Sequence, residues 1–100
     1  MLIKAGVDIS RLERNTRRGL AVVARILTLN DEELIITSTF DGNHGEGSLH
    51  YANQAFDIRL PKEHTNKIEL QMDAALGEDF DLCREANHFH IEYDPKPSTK

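Results

Sequence analysis

Phe80-Asp81-Leu82-Cys83-Arg84-Glu85-Ala86-Asn87-His88-Phe89-His90-Ile91-Glu92-Tyr93 is the stretch that decides the fold of this chain. Apolar and polar residues alternate on either side of a short polar break, and strand side chains two apart share a face. The stretch predicts two strands, at 80–84 and 88–93, closed into a hairpin by a tight turn at Glu85-Ala86-Asn87. In the second strand His88 and His90 point to one side, Phe89 and Ile91 to the other. A strand that turns imidazoles outward and apolar groups toward a core suits the wall of a site.

Working outward, 62–76 predicts an amphipathic helix in which Ile68, Met72 and Ala75 share a face, with Leu76 beside them and Gly77 as its C-terminal cap. A strand at 55–60 precedes it, ended by Pro61. Residues 41–48 contain Gly42, Gly45 and Gly47 and predict a loop. The β-branched run at 34–40 predicts another strand. A first helix is expected from about Asn15, where Leu20, Val23, Ile26 and Leu27 recur at helical spacing. Asn15 or Thr16 would cap it, and Asn30-Asp31 would end it. Residues 1–14 are expected as an arm, with Val7, Ile9 and Leu12 as a short strand or extended segment. The tail at 95–100 has two prolines and predicts disorder. Strands in a run without regular βαβ alternation imply an α+β domain over 15–94, with a small antiparallel sheet and two helices packed on one face.

The composition excludes several function classes. One hundred residues make a single domain with a modest core, 39% of them apolar. A net charge of -5 argues against nucleic acid, which needs clustered Lys and Arg. The one grouping, Arg11, Arg14, Arg17 and Arg18, reads as a solvated helix face. No apolar run approaches a membrane span, and no apolar segment follows the N-terminus as a signal peptide would require. The expectation is a cytoplasmic product, reaching any extracellular target through lysis machinery or as part of a virion. The single cysteine, Cys83, allows no intrachain disulfide and is expected as a buried thiol.

Five histidines stand at 44, 50, 64, 88 and 90. His44 and His64 read as solvated. His50 and Asp57 flank the start of a strand directly after the glycine-rich loop. Together with a histidine of the His88-Phe89-His90 strand they make two nitrogens and a carboxylate oxygen. That donor set leaves one zinc position open for water.

The local sequence adds a resemblance. Ser48-Leu49-His50-Tyr51-Ala52-Asn53-Gln54-Ala55-Phe56-Asp57 resembles the S-x-H-x-x-G-x-A-x-D signature of the zinc D-alanyl-D-alanine carboxypeptidases. Their superfamily includes L-alanyl-D-glutamate endopeptidases, phage endolysins and the hedgehog signalling domain. His88-Phe89-His90-Ile91-Glu92 is similar to the closing H-x-H strand, and the likeness covers about residues 15–95. It implies zinc held by His50, Asp57 and His90, with peptidoglycan peptide as substrate. It implies that His88 stabilises the tetrahedral intermediate and that Ser48 hydrogen-bonds near the ligand loop. Asn53 replaces the signature glycine, and Asn tolerates a left-handed backbone. Asn87 stands where relatives place a carboxylate base, which leaves Glu85 as the nearest carboxylate and His88 as the second choice. Arg59, two residues after Asp57, is the candidate for the substrate-side arginine. The resemblance implies a carboxypeptidase or endopeptidase, phage or prophage encoded. The alternative it leaves open is a non-catalytic metal-binding relative serving as a structural module of a phage particle.

Overall fold

The hairpin forms where alternation places it. In the computed structural model, which describes residues 1–39 and 53–95, strands β4 (Phe80–Arg84) and β5 (His88–Tyr93) pair antiparallel. The turn closes with the Glu85 N–H donating to the His88 carbonyl at 2.8 Å. Ahead of them come β1 (Leu2–Ile3), α1 (Arg14–Leu29), β2 (Ile35–Thr39), β3 (Ala55–Arg59) and α2 (Thr65–Leu76). The five strands form one sheet in the order β1-β2-β3-β5-β4. Phe56, Ile58, Phe89 and Ile91 from one face of this sheet join Val23 and Leu27 of α1 and Ile68 and Met72 of α2 in a single buried cluster. The fold is α+β, as the order of elements predicts.

Four local expectations are corrected. The sheet is mixed, not antiparallel: β1 lies parallel to β2, with Leu2 beside Ile35 and Ile3 beside Ile36. The strand of the N-terminal segment is therefore Leu2–Ile3 and not the Val7–Leu12 region, and Leu12 sits in the core at 2% exposure. Parallel strands require a crossover, and α1 supplies it. Helix α1 begins at Arg14 because the cap is Glu13, whose carboxylate accepts the N–H groups of Asn15 (2.6 Å) and Thr16 (3.1 Å). Helix α2 begins at Thr65, not 62, because His64 takes a left-handed φ of 60° that cannot continue a helix backward. Before it, Glu32 accepts the N–H groups of Lys62 and Glu63 at 2.9 and 3.1 Å, tying the approach to α2 to the end of α1. Among the described residues no helix is long and apolar enough to cross a membrane.

Gly19 fixes how close α1 comes to the sheet. A Cβ there would meet the ring of Phe80, with Cζ at 2.7 Å. That ring packs in turn on Tyr93, centroids 5.3 Å apart. Glycine costs a helix interior about 1 kcal/mol relative to alanine, so alanine would ordinarily stabilise. Here overpacking opposes the propensity gain at roughly 1–3 kcal/mol. Gly19→Ala is expected to lower the urea midpoint. A midpoint that rises would show that Phe80 yields at no cost.

Candidate functional site

The pairing of β3 with β5 builds the site. Their register sets Asp57 directly opposite His90, and Arg59 opposite His88. On the far side of β5, Cys83 of β4 is opposite His90. Because Phe56, Ile58, Phe89 and Ile91 face the helices, alternation turns Asp57, His88, His90 and Glu92 to the other face of the sheet. There Asp57 is the least accessible, with 13% of its side chain exposed, against 27% for His90 and 30% for His88.

His90 is held at both ring nitrogens. Asp57 Oδ1 lies 2.8 Å from Nδ1, and Glu92 Oε1 lies 3.1 Å from Nε2. A neutral imidazole has one N–H to give, whereas two carboxylates accept two. The hydrogen bond that His90 donates to Asp57 therefore raises the His90 pKa above its ordinary 6.5; burial opposes the rise, and Glu92 adds to it. The folded-state value exceeds the unfolded one. The pair's contribution to stability is thus fully present below about pH 6.5 and is lost as pH rises through the folded value. In chelator-treated protein the melting temperature is expected to fall over that rise, and the fall should be absent from His90→Gln.

His88 Nε2 stands 3.7 Å from Asp57 Oδ2, and its Nδ1 is 2.7 Å from Asn87 Oδ1. The two histidines thus approach the two oxygens of one carboxylate. Asn53, where the motif has glycine, takes a left-handed φ of 65°, as its residue type allows. Its carbonyl accepts the Glu13 N–H at 2.8 Å, linking the start of α1 to the residues just before β3.

The remaining sequence-predicted residues are distributed unevenly. Asp57, His88 and His90 come together. Arg59 is exposed, borders His88 across the strands and also lines a cleft of about 810 Å³ with Lys62 and His64. Glu85 lies in the β4–β5 turn, where its carboxylate accepts from the Cys83 thiol at 3.0 Å, one strand further from Asp57 than His90 is. Cys83 itself is exposed, not buried. Leu82 takes the inward position of that strand, so Cys83 must point out. The hydrogen bond and charge of Glu85 push its thiol pKa up, which disfavours the thiolate a nucleophile needs. His50 and Ser48, with His44, lie outside the described residues.

Glu92 is the participant that motif reading passed over. Its signal was present, since it sits two residues after His90 on the same strand and must share its face. As for a divalent cation, Asp57 and His90 bring one carboxylate oxygen and one imidazole to contact distance. A ligating histidine commonly gives its other N–H to a carboxylate, as Glu92 is placed to accept. Among the described residues no group of three or more His, Cys, Asp and Glu side chains is arranged to hold an ion. No protein-family model, curated protein or solved structure matches this chain.

Proposed function

We propose that this protein is a zinc-dependent peptidase that hydrolyses a peptide bond of bacterial peptidoglycan. The observation that carries the reading is the cross-strand Asp57–His90 pair with His88 beside it, at the positions where the zinc D-alanyl-D-alanine carboxypeptidase motifs have their ligands and site histidine. His50, Asp57 and His90 would hold the ion. Bound there, zinc would supply Lewis-acid chemistry, polarising a scissile carbonyl and acidifying an attacking water. The rest falls to the chain itself. Glu92 orients His90 by accepting at Nε2. Asp57 accepts from His90 at 2.8 Å and lies 3.7 Å from His88, so it orients both rings. Arg59 is placed beside His88 to take a carboxylate of the peptide. His88 or Glu85 handles the proton of the attacking water, or His88 stabilises the developing oxyanion.

A second reading has an observation of its own. Glu85 is engaged with Cys83, and Asn87, at the position of the usual base, takes no proton at neutral pH. This favours a non-catalytic metal-binding relative that serves as an assembly module, for instance of a phage particle.

Metal analysis and digestion of purified peptidoglycan separate the readings. The expected result is one zinc per chain, lost in His50→Ala, with release of peptide products by the wild type. Zinc without cleavage leaves the second reading. No stoichiometric zinc ends both. Glu92→Ala is expected to weaken zinc binding by roughly 10–100-fold, the usual effect of removing a group that orients a ligand, as read by competition with a chromophoric chelator.

A further inference from the structure

We infer that the cleft beyond Arg59 is a specificity subsite for a peptide segment carrying two carboxylates and one ammonium group, the charge pattern of a γ-D-glutamyl residue joined to diaminopimelate in a peptidoglycan stem. The inference rests on the peptidase reading above and adds to it which substrate residues are read. The cleft, about 810 Å³, opens where the α1–β2 and β3–α2 connections meet the sheet. Glu32 ties the two connections together through the N–H groups of Lys62 and Glu63. The volume lies in the range of sites that hold a small ligand, roughly 300–1,000 Å³.

Sheet register connects this cleft to the Asp57–His90 pair. Ile36 lies opposite Ile58, which carries Ile35 to Arg59, and Arg59 lies opposite His88. Ile35 and Arg59 both line the cleft. The row of Ile35, Arg59 and His88 thus crosses three strands beside the row that holds Asp57 and His90. Two residues of strand separate the rows, about 7 Å. An extended peptide covers that distance in about two residues. A peptide lying along β3, with its scissile bond at Asp57 and His90, therefore passes Arg59 two residues on and enters the cleft.

The charges of the cleft sort into those already engaged and those that are not. Glu32 holds its two N–H groups, Glu33 pairs with the amino group of Met1 at 3.2 Å, and Glu63 Oε1 lies 3.7 Å from His64 Nε2. Among the described residues the side chains of Arg59, Lys62 and Asp31 make no hydrogen bond or ion pair, and all three line the cleft and are exposed. They leave two positive charges and one negative for a ligand. Arg59 presents a planar fork that fits a carboxylate, Lys62 a point charge, and Asp31 an acceptor for ammonium. Asp31 holds its place on a left-handed backbone, φ 59°. Two carboxylates and one ammonium satisfy all three side chains at once. A segment with a single carboxylate leaves one of the two cations unmatched.

Two synthetic peptides test this, each acetylated at the N-terminus and amidated at the C-terminus. L-alanyl-γ-D-glutamyl-meso-diaminopimelate then carries the full set of charges, and the same peptide ending in L-lysine lacks one carboxylate. Binding to the purified full chain is read by titration calorimetry, or as kcat/KM where a peptide is cut. The lysine peptide is expected to be about fivefold poorer, the effect of one exposed charge pair. Arg59→Gln/Lys62→Gln should treat the two peptides alike. Asp31→Asn, whose new residue tolerates the left-handed backbone, should weaken both peptides equally, because both carry the ammonium. Equal affinity of wild type for the two peptides overturns the inference. So does the absence of binding to either, or a preference that survives in the double variant. Digestion of peptidoglycan without the preference removes the subsite and keeps the peptidase reading. The preference without digestion removes the peptidase reading and keeps the cleft as a binding site.

Discussion

Asp57→Ala is expected to abolish measurable zinc binding while leaving the fold in place. Asp57 is the one described side chain that contacts both His90 and His88, at 2.8 and 3.7 Å. Its removal takes away a proposed ligand and the carboxylate that both rings approach. Losing an orienting residue alone costs about 10–100-fold in affinity, so losing a ligand should cost more, roughly 100-fold or beyond. Chelator competition gives the affinity, and circular dichroism gives the fold. Glu78→Ala, an exposed change just before β4, serves as control and should bind zinc as wild type does. Asp57→Ala should also remove most of what His90 contributes to the pH dependence of metal-free stability, because its hydrogen bond is the leading cause of the raised His90 pKa. Unaltered zinc affinity in Asp57→Ala would place any bound metal elsewhere and remove the basis of the proposed function.

The second large effect concerns stability. Phe89 is fully buried on β5, between the two site histidines and on the opposite face of the sheet. Phe89→Ala is expected to cost about 3–5 kcal/mol, from lost transfer energy and the cavity left behind. Against a total stability of roughly 5–15 kcal/mol that is a large share. It corresponds to a fall in melting temperature of about 15–30 °C for a domain this size. Leu70→Ala, at a position 71% exposed, should change stability by less than about 0.5 kcal/mol. Thermal unfolding of both variants checks the assignment of faces. Equal, small effects would mean that β5 does not turn Phe89 to the helices, and the placement of His88 and His90 on the outer face would fail with it.

That coupling of core and site explains how much was legible in advance. The alternation of His88-Phe89-His90-Ile91-Glu92 tells which residues share a face, because the strand period is two whatever the partner strand is. Phe89 and Ile91 in the core require His88, His90 and Glu92 outside it. The same rule, applied to Phe80-Asp81-Leu82-Cys83, would have placed Cys83 outside with Asp81. The expectation of a buried thiol followed the habit of the residue type instead of the pattern. The helices were legible from their periodicity, but their first residues were not. Those depend on a carboxylate cap at Glu13 and a left-handed His64, both of which lie outside the apolar repeat.

Sequence alone determined the α+β class, the hairpin at the C-terminal end, the two amphipathic helices and the facing of the two histidines. These follow from local periodicity, and the physics that sets them acts within a few residues. Only the tertiary structure decided which strands are neighbours and in what register. Strand β1 pairs parallel to β2 across a whole helix. Gly19 admits Phe80 against α1. Asp57 meets His90 across 33 residues of sequence. Strand pairing joins backbone groups that every residue carries, so alternation names the face but not the partner. The pairing is chosen by how the inward side chains of β2 to β5 fill one core against both helices. It is that choice which brings a carboxylate of one strand to the imidazoles of another.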